Sequence, residues 1–337
     1  MNILLTRLDR VGDLILSTPA IASVRRSWPQ ARITLVCSSH NAVVVERNPD
    51  VDAVLVAPPK ASPRSIGSRF RNVCDLAIAL APCAPDFALV GATRAPIRVG
   101  YTYVRRFVAR LGARLYLTRV AISEADPGLC EVSADYRVRH EVEQLLELVL
   151  VAGGTEFSAD LVLPIEDVDR RAADHVPAGG IAFHLGARWF AGGSTLESTL
   201  ALILALREFG LPVVVTYGVD ALEQAARVRA AGVADCVVGG LSFAQWAAVF
   251  EKSRLVVTVD TGATHVASAT RRPTVVLFEH RYFHLNSQEW SPYRVPSVCL
   301  RKPAGADPAE LAASRASIVA AVAELLEVKA PSGPVRA

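Results

Sequence analysis

The chain has 337 residues, which exceeds the usual size of one domain and predicts two. Hydrophobic residues make up 51% of the sequence and charged residues 20%, a composition typical of compact globular proteins. No window reaches the roughly 18 consecutive apolar residues of a transmembrane helix, and the amino terminus lacks the pattern of a signal peptide. The six cysteines are scattered without a CxxC pair, which argues against a zinc site or a disulfide framework and indicates a cytoplasmic protein.

The net charge of +3 is small but unevenly distributed. Between residues 87 and 123 there are seven arginines and no acidic residue. Such a stretch is either a solvated helix face or a binding surface for an anionic partner, namely a phosphorylated glycolipid, an acidic membrane surface or a nucleic acid. Because interleaved aromatic residues are few and no nucleic-acid motif is present, we expect a lipid or glycan phosphate and no nucleic acid.

The first half of the chain alternates short apolar runs with longer amphipathic segments, which is the sequence form of a doubly wound parallel sheet. The predicted strands are residues 2–6, 32–37, 53–56, 76–80 and 97–101. A long helix is predicted at 139–152, with apolar residues along one face. The segment 153–180 is polar and contains prolines and adjacent glycines, so we place the linker between two domains at about 162–168.

The second half repeats this pattern. The predicted strands are residues 181–185, 213–217, 235–238, 255–259 and 274–278. The predicted helices are residues 198–208, 221–231, 243–252 and, at the end, 308–328. Residues 331–337 are expected to form a frayed tail.

The segment 255–278 carries the clearest binding signal of the chain. It predicts a strand buried on both faces, a loop at Asp260-Thr261-Gly262, a helix at 264–270 and a second strand. The first turn of such a helix has unpaired N–H groups and a partial positive charge, so it can bind an anion. Gly262 lets the backbone approach a ligand, and the hydroxyls of Thr261 and Thr264 can donate to phosphate oxygens. The alternative is that this turn merely caps the helix.

Two stretches of the chain resemble the signatures of one protein family. Residues 260–269, DTGATHVASA, followed by PTVVLF at 273–278, closely resemble the signature of glycosyltransferase family 9. That family contains the ADP-heptose:lipopolysaccharide heptosyltransferases. The beginning of the chain, from MNILL through Val11-Gly12-Asp13 to Pro19-Ala20, resembles the other hallmark of the same family. The two signatures occur in the family's order.

The resemblance implies a GT-B fold, an α/β architecture of two Rossmann-like, doubly wound parallel-sheet domains that face each other across a cleft. Residues 1–165 would bind the acceptor and 166–306 the nucleotide-sugar donor, while a helix at 307–330 would pack back on the first domain. The implied enzyme is an inverting, metal-independent glycosyltransferase without a cofactor. It would move a heptose or related sugar from ADP-heptose to a lipopolysaccharide core glycolipid. We expect it in the cytoplasm, in peripheral contact with the inner face of the inner membrane.

On the acceptor side, the resemblance makes Asp13 the general base that takes the proton from the acceptor hydroxyl. The alternative is that Asp13 caps the following helix. Arg7 and Arg10 flank it and could bind the acceptor phosphate or the departing diphosphate, or, as exposed loop arginines, do neither. The arginine-rich stretch would add Arg94 and Arg98 to the acceptor site.

On the donor side, the resemblance suggests that Asp260 contacts hydroxyls of the donor sugar and that His265 lies near the phosphates. A histidine at a helix start is often only a packing residue. Thr261, Gly262 and the first helical N–H groups would stabilise the leaving diphosphate.

Other donor contacts are expected after the first two strands of the second half. Gly186 and Arg188 follow the strand at 181–185, where the family has a strand-then-glycine turn. Glu223, or alternatively Asp220, follows the next strand and could bind the ribose hydroxyls, although an acid there could instead complement the helix dipole. Phe243 opens the helix that resembles the segment lining the adenine pocket, and it could equally be a packing residue.

The chain departs from the family pattern at two places. At residues 191–194, where the family usually has a basic residue that holds the donor, the sequence is AGGS, so Arg188 could replace that charge. After the strand at 274–278, where the family often has glycine, the sequence has Glu279, His280 and His284. These residues allow a metal site, but the arrangement is not HExxH and no third ligand is evident, so we expect a specificity loop and no metal.

Three other functions remain open at this stage. The same fold could glycosylate a soluble acceptor, such as a secondary metabolite or a protein, from a different nucleotide-sugar. It could be a nucleotide-sugar epimerase or hydrolase that does not transfer. It could also be a degenerate module that binds nucleotide without turnover, although the retention of Asp13 and Asp260 argues against this.

Overall fold

The computed structural model describes residues 1–126, 132–133 and 135–327. Cys130, the predicted end of the last helix at 328 and the tail at 331–337 lie outside the described residues. The chain divides into two compact units, which we call the first and second domains. The first contains Met1–Pro164 together with His284–Trp290, and the second contains Ile165–Phe283 together with the chain from Ser291 onward.

The first domain is built on a parallel sheet of six strands. These strands are β1 (Asn2–Arg7), β2 (Arg32–Ser38), β3 (Ala53–Ala57), β4 (Leu76–Ala79), β5 (Ile97–Tyr103) and β6 (Arg119–Ser123). Their order in the sheet is β3-β2-β1-β4-β5-β6. The direction of winding reverses between β1 and β4, and open α/β sheets bind ligands at the carboxyl ends of the strands at such a point.

Helix α1 (Val11–Ser27) follows β1 and is buried along almost its whole length. A helix that is apolar all round is typical of a domain interior. Pro19 lies inside it and cannot donate to the carbonyl of Ile15. The hydroxyl of Thr18 donates to that carbonyl at 2.7 Å, so the acceptor that proline leaves unpaired is satisfied.

Four further helices lie along the first domain. They are α2 (Pro63–Ser68), α3 (Ala84–Thr93), α4 (Phe107–Ala113) and α5 (Glu141–Ala152). Helix α5 packs against α1 and against β5 and β6. Its buried apolar residues Val142, Leu145 and Val149 share one face, as the sequence predicts.

The second domain has its own six-stranded parallel sheet. Its strands are β7 (Ile181–Leu185), β8 (Val213–Tyr217), β9 (Cys236–Val238), β10 (Leu255–Val259), β11 (Thr274–Phe278) and β12 (Ser297–Arg301). The order is β12-β11-β10-β7-β8-β9, so the winding reverses between β7 and β10. Strand β10 is buried at every residue, as its β-branched apolar sequence predicts.

Helices connect these strands and close the chain. They are α6 (Asp167–Ala172), α7 (Leu196–Leu206), α8 (Leu222–Ala231), α9 (Phe243–Glu251), α10 (Gly262–Ala269), α11 (Phe283–Glu289) and α12 (Pro308–Glu327). Side chains at the N-cap positions of α7, α9 and α10 accept from free N–H groups of the first turn. In α9, for example, Ser242 and Gln245 form a reciprocal capping box.

The closing helix, which was predicted to pack back on the first domain, contributes to the core of the second domain. Helix α12 packs against α7 and against β10, β11 and β12 of the second domain. Its residues Ile318, Ala321, Val322 and Leu325 lie in the hydrophobic core of that domain. Their spacing of three and four residues forms the single apolar stripe that an amphipathic helix buries.

The segment that returns to the first domain is instead His284–Trp290. Gln288 donates from Nε2 to the carbonyl of Tyr136 at 3.0 Å and accepts from the N–H of Val138 at 3.3 Å. Leu285 and Glu289 of the same segment are buried. The sequence pattern gave no indication of this return.

The fold class predicted from the sequence, two doubly wound parallel sheets, is confirmed. Every predicted strand and helix is present, with its ends shifted by two residues or fewer within the described residues. The strands β6 and β12 were not predicted. Both lie at the edge of a sheet and are partly exposed, so their apolar signal is weak.

Among the described residues, no helix combines the length and the apolarity that crossing a bilayer requires.

Glu289 is fully buried in the first domain, and its carboxyl group lies beside the amide side chain of Gln144. Within the described residues, neither carboxyl oxygen of Glu289 receives a hydrogen bond, nor does Oε1 of Gln144. Burial, with the nearby charge of Glu141 adding to it, raises the pKa of Glu289 well above its usual value of 4.5. A neutral carboxyl group at Glu289 would supply the O–H donor that Gln144 Oε1 lacks.

We therefore expect the substitution Glu289→Gln to stabilise the protein at alkaline pH. Because the folded state holds this proton more tightly than the unfolded chain, its contribution is complete below about pH 4.5 and is lost as the pH rises. The glutamine amide keeps the donor and does not titrate. The melting temperature of Glu289→Gln should exceed that of the wild type at pH 8, and the two should converge towards pH 4.5.

The matched control is Glu143→Gln, because Glu143 is exposed on the same helix that Glu289 faces. Its melting temperature should follow the wild type throughout the pH range. A Glu289→Gln variant that is less stable than the wild type at pH 8 would mean that Glu289 is ionised in the folded protein.

Candidate functional site

A buried arginine organises the carboxyl-terminal edge of the first sheet. Arg7, the last residue of β1, has only 2% of its side chain exposed. Its Nη1 donates to the carbonyl of Leu80 at 2.6 Å and to Oε1 of Glu141 at 2.9 Å, and its Nε donates to Asp9 at 2.9 Å. Its Nη2 lies 3.4 Å from Oδ1 of Asp13. Arg7 is therefore not an exposed loop arginine, since it is buried and its donors are directed at protein groups, while its assignment to the acceptor site stays a prediction.

Glu141 is the buried partner of this arginine. It is the first residue of α5 and is 1% exposed. The hydroxyl of Tyr101 also donates to Glu141, at 3.0 Å from Oε1. Burial raises the pKa of Glu141 to about 7, and the positive charge of Arg7 opposes this shift. Burial therefore favours the neutral form of Glu141, and Arg7 favours the ionised form.

Asp13 lies in the first turn of α1, directly after the carboxyl end of β1. Its side chain is 15% exposed, so it is reachable from solvent while it contacts the buried Arg7. The residue at the N-cap position of α1 is Arg10 rather than Asp13. Arg10 is exposed beside the same strand end, so the structure brings Arg10 to the edge where Asp13 lies.

Arg94 and Arg98 do not lie beside Asp13. Arg94 ends α3 in a left-handed conformation with a φ of 55°, and Arg98 lies near the start of β5. The start of a parallel strand is at the sheet edge opposite to the carboxyl ends. The side chain of Arg98 also donates to the carbonyl of Tyr116 at 2.7 Å. The structure therefore does not bring these two arginines together with Asp13, and their binding of an acceptor stays a prediction.

Another part of the arginine-rich stretch follows the carboxyl end of β5, at the same edge as Asp13. Arg105 lies over the ring of Tyr136 at 5.3 Å, and Arg106 pairs with Asp126 at 2.7 Å. The sequence alone does not show which arginines of the stretch lie at the same sheet edge as Asp13. The bounds of β5 show that Arg105 and Arg106 do and that Arg98 does not.

In the second domain, α10 begins directly after β10, at Gly262 instead of residue 264. Thr261 is its N-cap, and the Thr261 hydroxyl accepts from the N–H of Ala263. The hydroxyls of Thr261 and Thr264 both donate to the carbonyl of Val259, at 3.2 and 3.3 Å. In this conformation neither hydroxyl is directed at a ligand position, and their donation to a phosphate stays a prediction. Thr261 has the capping role that was the alternative for this turn.

Asp260 and Arg188 come together next to this turn. Arg188 donates from Nη1 to the Asp260 carbonyl, and the same nitrogen lies 3.3 Å from Asp260 Oδ2. With 45% of its side chain exposed, Arg188 can still contact a ligand. His265, by contrast, is buried within α10 at 5% exposure, which corresponds to the packing role considered for it.

The turn after β7 is fixed by Asp220. The N–H of Ala187, next to Gly186, donates to Asp220 Oδ2 at 2.8 Å. Asp220 is exposed and orders this turn from the surface. Glu223 is exposed in the first turn of α8, where its charge complements the helix dipole and where it can also meet a ligand.

Lys302 is a residue of this site that the sequence analysis missed. It follows β12 and is 1% exposed. Its Nζ donates to the carbonyl of Arg188 at 2.6 Å, to the carbonyl of Ala191, and to Glu279 at 3.0 Å. These contacts use all three donors of an ammonium group. Lys302 thus fixes the 188–191 turn, in which the usual basic residue is missing. The only sequence signal was a lysine directly after an unrecognised strand.

A small cluster of aromatic rings joins the end of β7 to α9 in the second domain. Burial lowers the pKa of His184 to about 4, so its imidazole is neutral at physiological pH. Trp246 Nε1 donates to the hydroxyl of Thr216 at 3.2 Å, and that hydroxyl lies 2.9 Å from His184 Nδ1. The ring of Phe243 packs edge-on to Trp246, with centroids 5.9 Å apart. Trp246 is thus held rigidly in the helix that the resemblance assigned to the adenine pocket.

The metal interpretation of the loop after β11 finds no support in its contacts. Glu279 pairs with Lys302, and His280 Nδ1 lies 3.3 Å from the Lys302 carbonyl. Within the described ranges, no group of three or more His, Cys, Asp or Glu side chains could hold a metal ion.

Comparison with known proteins gives a match at the level of sequence. Residues 131–315 match the model of glycosyltransferase family 9 (heptosyltransferase). A curated relative, lipopolysaccharide heptosyltransferase 3 of Escherichia coli, is 23% identical over 283 residues. The alignment covers 79% of this chain and 79% of that relative.

Solved structures give the corresponding match at the level of fold. A family 9 glycosyltransferase of Veillonella parvula has a TM-score of 0.76 at 21% identity, covering 96% of this chain and 97% of its own. An Escherichia coli heptosyltransferase with ADP-2-deoxy-2-fluoro heptose has a TM-score of 0.69 at 20% identity, covering 94% and 99%. At these identities the similarity establishes the fold alone.

We expect the substitution Lys302→Met to loosen the turn at 188–191 and to weaken binding of a nucleoside diphosphate. Methionine fills a similar volume but leaves Glu279 and the two carbonyls without their donor. We expect a loss of about 2–4 kcal/mol in the free energy of unfolding and a Kd for ADP raised by roughly tenfold or more. Thermal melts with and without ADP measure both effects.

Lys60→Met is the control, because Lys60 is exposed in the first domain. It should leave both quantities unchanged. An unaltered ADP affinity in Lys302→Met would show that the ordered turn does not contribute to the nucleotide site.

Proposed function

Because the protein belongs to glycosyltransferase family 9, which residues 131–315 match over more than half of the chain, we propose that it transfers a heptose from ADP-heptose to a hydroxyl of a lipopolysaccharide core glycolipid. The relative named lipopolysaccharide heptosyltransferase 3 supports the acceptor class, and the similar heptosyltransferase with ADP-2-deoxy-2-fluoro heptose supports the donor class. One observation carries the proposal. Asp13 and Asp260 each follow a strand, β1 and β10, at which the winding of its sheet reverses.

Asp13 is the proposed general base. Its carboxylate takes the proton of the acceptor hydroxyl while the hydroxyl oxygen attacks the anomeric carbon of the donor sugar. The bond from that carbon to the diphosphate breaks on the opposite face, so the configuration inverts and ADP leaves. The 15% exposure of the Asp13 side chain and its contact with a buried arginine support this role.

The second domain is proposed to stabilise the leaving diphosphate. The first turn of α10 offers backbone N–H groups and the positive end of the helix dipole, and Arg188 adds a full positive charge. Asp260 orients Arg188 and is left close to the sugar. We propose that these protein groups supply the charge that the departing ADP requires, without a metal ion or a cofactor.

We expect Asp13→Ala to abolish transfer while it leaves nucleotide binding within a few-fold of the wild type. Loss of a general base lowers kcat by about 10²–10⁴-fold, whereas the donor contacts assigned above lie in the second domain. Product mass after incubation with ADP-heptose and a heptose-free core acceptor measures transfer, and thermal shift with ADP measures binding.

Glu156→Ala, an exposed acidic residue of the first domain, is the control and should keep full activity. An active Asp13→Ala variant would contradict the base assignment. Release of free heptose or of an epimer without any acceptor would indicate hydrolysis or epimerisation instead of transfer. Transfer to soluble acceptors alone would show that the acceptor is not a glycolipid.

We further propose that the enzyme works in the cytoplasm, on the inner face of the inner membrane, and contacts it through the segment at 104–115. Phe107 and Val108 on α4 are 67% and 82% exposed, and Leu111 and Leu115 are also exposed. Arginines interleave these residues, and the stretch from 87 to 123 contains no acidic side chain. Exposed apolar residues flanked by arginines match the chemistry of an anionic lipid surface.

The double variant Phe107→Ser/Val108→Ser tests this contact by sedimentation with vesicles. Each buried apolar side chain contributes about 1–2 kcal/mol, so we expect binding to vesicles containing phosphatidylglycerol to fall at least tenfold. Raised salt should weaken wild-type binding further, because the arginine contribution is screened. Val219→Ser, which changes a valine that is 89% exposed in the second domain, should bind as the wild type does. If the wild type bound neutral vesicles as strongly as those containing phosphatidylglycerol, the proposed contact of residues 104–115 with an anionic membrane would be contradicted.

A further inference from the structure

Arg7 contacts three carboxyl groups, and one of them belongs to Asp13. Arg7 brings one positive charge, whereas three carboxylates lie within 3.4 Å of its nitrogens. Its Nη1 is held by Glu141 and by the carbonyl of Leu80, and its Nε is held by Asp9. The guanidinium is therefore fixed on its buried side, and only Nη2 is directed at Asp13.

We propose that Glu141 is a positioning residue for Asp13 and acts through the guanidinium of Arg7. The two carboxylates contact different nitrogens of one planar group, Glu141 at 2.9 Å and Asp13 at 3.4 Å. The shorter contact goes to the buried carboxylate. Glu141 thus holds Arg7 back from a full ion pair with Asp13. The inference rests on the proposed function only where Asp13 acts as a base.

The physical reason is competition for one positive charge. A positive charge within about 4–6 Å favours the ionised form of a carboxyl group and lowers its pKa. While Glu141 is ionised, it shares the charge of Arg7, and Asp13 keeps more of its affinity for a proton. Without the charge of Glu141, Arg7 acts on Asp13 more fully, and a less basic carboxylate is a weaker general base.

Several titratable groups face Glu141 and set its charge. They are Arg7 on β1, Asp13 on α1, Tyr101 and Tyr103 on β5, and Glu289 on α11, while His140 precedes Glu141 in the chain and its ring accepts from the N–H of Val142. Arg7 and the Tyr101 hydroxyl favour the ionised form of Glu141, while burial and the negative charge of Asp13 oppose it. The charge of Glu141, and with it the basicity of Asp13, should change close to neutral pH.

The direct test measures the pKa of Asp13 and needs no substrate. In protein labelled with ¹³C at aspartate carboxyl carbons, the Asp13 signal is assigned by its loss in Asp13→Asn and followed from pH 3 to 9. We expect Glu141→Gln to lower the pKa of Asp13 by roughly 0.5–1 unit. Glu143→Gln, on the exposed face of the same helix, should leave it unchanged. An unchanged Asp13 pKa in Glu141→Gln would overturn the inference.

The kinetic test separates positioning from a structural effect. In Glu141→Gln we expect kcat to fall roughly 3–30-fold, well short of the loss of the base itself. The KM for ADP-heptose should stay within twofold, roughly 0.4 kcal/mol, and the acidic limb of the pH–rate profile should move to lower pH. A variant that only loosens the fold would lose kcat without shifting that limb, which would contradict the proposal.

Tyr101→Phe covers the case in which Glu141→Gln does not fold. It removes one donor to the Glu141 carboxylate and so raises the affinity of Glu141 for its proton. We expect a smaller fall in kcat at pH 7 that disappears at pH 9, where Glu141 is ionised in both proteins. A fall in kcat of the same size at pH 7 and at pH 9 would contradict the proposal that Glu141 acts on Asp13 through Arg7. Failure of the wild type to transfer heptose would refute the proposed function alone, because the Asp13 titration would still decide this inference.

Discussion

The structure of the first domain depends on the burial of one positive charge. A guanidinium removed from water is tolerated only where carboxylates and carbonyls replace its hydration. Arg7 therefore requires Glu141, which lies 134 residues later in the chain, and the carbonyl that follows β4. These contacts tie β1, β4 and α5 together at the carboxyl-terminal edge of the sheet. Asp13 lies in the first turn of α1, which begins four residues after Arg7, and contacts the same guanidinium.

The second domain also has a buried, fully hydrogen-bonded cation at the carboxyl-terminal edge of its sheet. Lys302 is buried and is satisfied by two backbone carbonyls and one carboxylate, and it joins the end of β12 to the turn after β7. In both domains a buried cation orders a loop, and a partly exposed charged side chain lies next to that loop. That group is Asp13 in one domain and Arg188 in the other. The sequence AGGS at 191–194 contains no basic residue, but Lys302 holds the carbonyls of Arg188 and Ala191, and Arg188 carries the exposed charge.

The sequence alone predicted the parts of this structure that depend on local pattern. Buried strands such as β10 follow from uninterrupted β-branched residues, and the Asp260 turn follows from its place between such a strand and a helix. What the sequence could not predict depends on contacts between distant residues. The burial of Arg7 is decided by Glu141, and the packing of α12 on the second domain is decided by the partners of Ile318 and Val322. The sequence pattern of an arginine or of an apolar helix face does not identify the residues with which it makes contact in the folded protein.

The partial exposure of Asp13 then has a definite physical meaning. A general base must be reachable by its substrate, yet it gains basicity only where solvent and positive charge do not stabilise its ionised form too strongly. Asp13 meets solvent on one side and Arg7 on the other, and Glu141 sets how much of the Arg7 charge it receives. The ion pairs that hold α1 and α5 on the sheet are also those that set the basicity of Asp13. Stability and reactivity at this edge therefore share the same contacts, and a substitution at Arg7 or Glu141 alters both.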